Sequence, residues 1–187
     1  MTALGSGARS AAQTRVMTAA LDLFAEHGVS ATSLQMIADA LGVTKAAVYH
    51  QFNTKDEIVL AVTEAEMVKI EAALEAAEAE PERLRAREAL LAWVIDLAIE
   101  RRRLVSVLQF DPVIIRLLGQ QEPFLHVINR LYTVLMDGGE GDESRVQAAM
   151  LSAAIGGTVA NPLVDGIDED TLRTQLMQLS RRILALG

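Results

Sequence analysis

The stretch Leu34 to Phe52, LQMIADALGVTKAAVYHQF, admits little other than two short helices joined by a tight turn. Leu34, Ile37, Ala38 and Leu41 stand at i, i+3, i+4 and i+7, one apolar stripe on a first helix. Gly42 ends that helix, at a position that favours positive φ. Thr44 is placed to cap a second helix with its hydroxyl. Val48 and Phe52, four apart, are expected to face inward together with Val43, leaving Lys45, Ala46, Ala47, Tyr49 and His50 on the outer side. Nothing in that outer set seeks burial. Two alanines beside a lysine, a tyrosine and a histidine make a slender, mildly cationic ridge. An α-helix fits the major groove of DNA, and small side chains let it come within reach of base edges.

The segment GVTKAAVYHQFNTKDEIV resembles the recognition-helix region of TetR/AcrR-family transcriptional regulators. There a glycine turn, a Ser/Thr-Lys start, a Tyr near the helix end, a Phe and a following Lys recur. The likeness continues upstream through ALDLFAEHGVSATSLQMIA, so it covers about residues 10 to 60. Beyond about residue 70 it supplies architecture only. His50 and Gln51 stand where many relatives have an aromatic followed by His, which leaves the base preference open.

The expected fold is all-α, with about nine helices. Half of the 187 residues are hydrophobic, only four are proline, and alternating β-branched runs are scarce. The expected division is a helix-turn-helix DNA-binding domain over 10–70, including the start of a connecting helix, and a ligand-binding and dimerisation domain over 71–187. Residues 1–9 are small and Gly/Ser-containing, an arm without packing residues in which Arg9 is the one group suited to a groove or backbone. A first helix from about Ser10 to His27 buries Val16, Ala20, Leu23 and Phe24, and Gly28 is expected to end it. Thr32 or Ser33 then caps the next helix, and either hydroxyl suits a DNA phosphate.

From Thr54 a helix of about 25 residues, about 37 Å long, is long enough to connect two domains. The resemblance implies that it does so and relays ligand state to the DNA-binding heads. Lys55 at its start is placed for a phosphate. Residues 84–99 read as a helix apolar nearly all round, hence centrally buried. Arg101, Arg102 and Arg103 follow it as C-terminal cations. Asp111-Pro112 and Glu122-Pro123 cut the next stretch into short helices with a bend at Gly119, an arrangement that leaves room for a cavity. Trp93, Phe110, Phe124, Tyr132 and Met136 are its candidate lining residues, and an aliphatic effector is preferred because few aromatics occur after residue 60.

Two C-terminal helices look like an interface. Ala149, Ala153 and Gly157 permit close helix approach, and Leu172, Leu176, Leu179 and Ile183 alternate spacings of four and three. The same pattern would serve a monomer core. The resemblance implies a homodimer through a four-helix bundle, two helices from each protomer.

Net charge is −8, against a nucleic-acid partner at first sight. Its distribution reverses that: up to Lys55 there are four basic and three acidic residues, and the excess of acid lies entirely beyond. The acidic part would turn the head toward phosphate. Cysteine is absent, which excludes disulfides and thiolate metal sites. His27, His50 and His126 are isolated, no nucleophile elbow or phosphate loop occurs, and neither a catalytic function nor a metal or cofactor is expected. With no signal-peptide run and no long uncharged apolar stretch, a cytoplasmic protein without membrane contact is expected. Three functional readings stand: a repressor released from a palindromic operator by a small apolar effector, an activator or effector-independent regulator with the same head, and an all-helical scaffold without DNA binding.

Overall fold

The computed structural model describes residues 9–139 and 141–186, and among them the chain forms ten α-helices and no strand. The N-terminal arm, residues 1–8, lies outside the described residues, and Arg9 pairs with Glu64 at 2.5 Å. The first helix, α1 (Ala11–Ala31), is capped reciprocally by Ser10 and Gln13. At φ 77° and ψ 159° Gly28 ends the regular helical path there, as expected, and one further helical stretch continues beyond the kink to Ala31. Thr32 is buried and donates to the Gly28 carbonyl at 2.8 Å, so Ser33 alone caps α2 (Leu34–Leu41), accepting from the Met36 N–H at 3.1 Å.

Gly42, at φ 66°, takes the left-handed turn after α2, and Thr44 caps α3 (Lys45–Gln51) through the Ala47 N–H. Val48 and Phe52 are buried against α1 and α2 among Ala20, Phe24, Ile37 and Ala38. Each large apolar side chain so buried stabilises the head by about 1.5–3 kcal/mol. Val43, expected inward, is 38% exposed, because it precedes the helix and lies past the rim of the three-helix core.

The connecting helix α4 (Lys55–Ala79) starts at the Thr54 cap, with Asp56 and Glu57 at the positive end of its dipole. The helix expected to be central, α5 (Arg83–Glu100), packs against α4 and four later helices. The next two are short, α6 (Arg102–Phe110) and α7 (Pro112–Leu118), and a longer α8 (Glu122–Leu135) follows. Both proline steps fall where α7 and α8 begin, since proline fits a first turn that needs no N–H. Then come α9 (Asp142–Val159), a 3₁₀ turn (Pro162–Val164) and α10 (Glu169–Ile183). Of the three arginines after α5, Arg101 caps it, while Arg103 pairs with Asp22 of α1 at 2.7 Å.

Two apolar clusters result. One joins α5, α8, α9 and α10 to the second half of α4. The other is the head core, and it takes in Leu104 and Val107 of α6 and Ile114 and Leu118 of α7. These two short helices, far along the chain, therefore pack as part of the head's foundation. Polar ties cross the bundle: Arg130 of α8 clasps Glu78 of α4 with two bonds of 3.1 and 2.7 Å, and Arg173 of α10 holds Asp96 of α5. Arg87 closes the carbonyl ends of α8 and α10 by donating to Leu135 and Leu184. No helix among the described residues is long and apolar enough to cross a membrane.

Candidate nucleic-acid interface and effector cavity

The ridge on α3 is built by what lies beneath it. Val48 is fully buried, which fixes the rotation of the helix and leaves Lys45, Ala46, Ala47, Tyr49 and His50 exposed. The Lys45 ammonium lies 5.5 Å from the centroid of the Tyr49 ring one turn later, a cation–π contact. It holds the charge over the ridge. Thr44 stays exposed at the helix start, and Ser33 stays exposed at the start of α2.

Two residues expected at phosphates are placed otherwise. The Thr32 hydroxyl is turned into the head, as described above. Lys55 directs its ammonium at three main-chain carbonyls, Val29 at 2.5 Å, Ser30 at 3.2 Å and Thr32 at 2.6 Å. Three donors meet three acceptors at the negative end of α1. The sequence signal was a lysine at a helix start, which suits either partner; the fold decides by bringing the end of α1 beneath it.

The bundle holds a partly open cavity of about 280 Å³ between α4, α5, α6, α8 and α9, walled by aliphatic side chains such as Ile70, Val94, Leu104, Leu131 and Ile155. Beside it, toward α9, lies an open groove of about 760 Å³. Phe124 and Tyr132 border both spaces. Met136 and Phe110 border the groove only, Phe110 being 55% exposed. Trp93, half-buried on α5, borders neither. Gln109 was not anticipated. Its amide donates to the Ser152 carbonyl and hydroxyl at 3.0 and 3.1 Å and separates cavity from groove. Gly156 makes room for it, since a Cβ there would stand 2.1 Å from the Gln109 Oε1.

Of the expected dimer residues, Ala149 and Ala153 are exposed on α9, where with Val146 and Met150 they form an apolar stripe. Gly157 and Ile183 are half-buried, and Leu179 is 52% exposed. Leu172 and Leu176 are buried inside the chain's own bundle and so are not free to meet a partner. The buried sector of α10 centres on Leu176 and Ser180, which puts Leu179 outside it.

Residues 16–62 match the family model described as bacterial regulatory proteins, tetR family. Over 51 residues the chain is 39% identical to the HTH-type transcriptional repressor KstR2 of Rhodococcus jostii (strain RHA1), covering 27% of this chain and 25% of that protein. Over 48 residues it is 48% identical to the HTH-type transcriptional regulator SrpR of Pseudomonas putida, covering 26% and 22%. The matched segment thus spans about a quarter of these curated relatives. Among solved structures, the fatty acid degradation regulator FadR from Bacillus halodurans superposes with a TM-score of 0.70 at 20% identity, over 95% of this chain and 97% of that one. A TetR-like transcriptional regulator from Rhodococcus sp. RHA1 gives 0.71 at 20%, over 96% and 98%. FadR from Bacillus subtilis in complex with stearoyl-CoA gives 0.66 at 21%, over 92% and 96%. At these identities the structural likeness shows the fold, and it extends that fold beyond the head to the helical bundle.

Proposed function

We propose, since the chain belongs to the TetR/AcrR family of transcriptional regulators, that it is a homodimeric repressor released from a palindromic operator by a small apolar effector. The observation that carries this reading is the exposed ridge of α3, anchored from below by Val48 and Phe52. Lys45 and His50 reach base edges, Ala46 and Ala47 allow close approach, and Ser33, Thr44 and Tyr49 hold phosphates. Thr32 and Lys55 brace the head instead. Two heads related by a dyad meet successive major grooves about 34–36 Å apart.

The division of labour follows the chain, with residues 10–70 for DNA and 71–187 for ligand and dimer, while α6 and α7 link the two. Dimerisation uses the exposed stripe of α9 with Leu179 of α10. The effector enters the aliphatic cavity by way of Phe124 and Tyr132. An apolar molecule suits those walls, and the stearoyl-CoA complex of the Bacillus subtilis neighbour is consistent with that class. Selection from a pool of random duplexes by the purified chain tests the reading. Enrichment of an inverted repeat with half-sites about one helical turn apart is expected. Recovery of unenriched sequence, with weak affinity that is blind to sequence, would overturn it.

A further inference from the structure

One residue of the head, Val29, is held from both sides. Its N–H, just past the break at Gly28, donates to Asp111 Oδ2 at 2.7 Å. Its carbonyl accepts from the Lys55 ammonium at 2.5 Å. Asp111 is the junction of α6 and α7: its other oxygen, Oδ1, accepts from the Val113 N–H at 2.9 Å and the Ile114 N–H at 3.4 Å, capping α7. Lys55 is the first residue of α4. The two holders thus sit on different helices that both wall the cavity, Leu108, Gln109 and Leu118 on the α6–α7 side and Ile70 on α4. Any movement of one wall against the other is applied to the two peptide groups that flank Val29, near the end of α1.

We propose that Asp111 is a positioning residue through which occupancy of the cavity reaches the DNA-binding head. The proposal rests on the effector reading above and adds the point of transmission. Filling the cavity displaces the short α6–α7 wall. Asp111 draws the Val29 N–H with it while Lys55 retains the carbonyl, and the α1–α2 junction turns, carrying α3 off its seat. The other polar tie between α6 and α1 among the described residues, Arg103 to Asp22, joins side chains 74% and 53% exposed and is too screened by solvent to serve as the transmitter. The apolar contacts of Leu104 and Val107 with α1 carry no directional pull on the Val29 N–H.

The test needs no known effector. Gly156→Leu places a side chain in the cavity against Gln109, a permanent occupant that pushes on α6. Asp111→Asn keeps an oxygen to cap α7 but presents an amide donor to Val29. The wild-type chain, both single variants and the double variant are compared for affinity toward the selected duplex and for the position of the Val29 amide resonance. Gly156→Leu is expected to weaken duplex binding by about tenfold in the wild-type background, an ordinary coupling between linked sites. In the Asp111→Asn background the same change is expected to cost less than about twofold, the limit of additive behaviour. Equal losses in both backgrounds, or none in either, would overturn the proposal. Should Gly156→Leu not fold, Gly156→Ala takes its place, since its Cβ alone would stand 2.1 Å from Gln109 Oε1. If the chain selects no duplex, the DNA reading fails separately and Val29 decides for the latch. A Val29 amide resonance displaced in Gly156→Leu and left in place by the same change in the Asp111→Asn background upholds it, and a resonance that does not move removes it.

Discussion

The Lys45 ammonium sits 5.5 Å above the Tyr49 ring, one turn further along an exposed helix, so a long side chain with many rotamers is held in one of them. The contact is worth about 0.5–1 kcal/mol at an exposed site. The contact keeps the charge over the Tyr49 ring on the exposed side of α3.

Lys45→Ala is therefore expected to weaken binding to the selected duplex by about 1–3 kcal/mol, the range of a good base contact. Thermal stability should change by less than about 0.5 kcal/mol, because Lys45 is on the surface. Anisotropy titrations beside melting curves check both. Unchanged affinity would remove Lys45 from the contact set.

Lys55 behaves differently if its work is inside the head. Lys55→Met leaves three carbonyls at the end of α1 without their donor. A loss of about 1–3 kcal/mol in unfolding stability is expected. Urea titration measures it. A variant as stable as the wild type, with only weaker DNA binding, would return Lys55 to the phosphates.

The local signals of the head were legible in the sequence because each acts over a few residues. The stripe of Leu34, Ile37 and Ala38, the turn at Gly42 and the caps Thr44 and Thr54 all depend on neighbours within one turn. Gly28 was legible as a break, while the short helical stretch beyond it, to Ala31, gave no signal of its own. Val29–Asp111 joins residues 82 apart, and no periodicity announces such a bond. Leu172 and Leu176 show a further limit. A stripe of leucines specifies burial without specifying whether the cover comes from the same chain or another.

That ambiguity is open to experiment. Leu172→Ala should destabilise the fold by about 2–5 kcal/mol, as a cavity in a core does. Met150→Glu, on the exposed stripe of α9, should leave the fold intact and weaken self-association by about a hundredfold. Light scattering across a dilution series distinguishes the two. A Met150→Glu chain that dimerises as tightly as the wild type would move the interface elsewhere.

Glu78 carries the pH dependence of the α4–α8 clasp. The Arg130 hydrogen bond holds its carboxyl below the usual value of 4.5, and the Glu78 bond holds the Arg130 guanidinium above its own. A depressed carboxyl stabilises the fold above its unfolded pKa and loses that contribution as pH falls through the folded one. Both side chains are partly exposed, 40% and 29%, so the pair is worth about 0.2–1 kcal/mol. Glu78→Gln should melt lower than wild type at pH 7, and the gap should close as pH drops below 4.5. A gap independent of pH would assign the clasp no role.

The chain has no cysteine, so His50→Cys provides a single attachment point for an iron chelate on the outer side of α3. Cleavage of the selected duplex by the labelled protein is the most direct test of the ridge. Two clusters of cuts, symmetric about the centre of the repeat and about one helical turn apart, are the predicted result. A labelled protein that binds the duplex and leaves it uncut would contradict the seating of α3 in the groove.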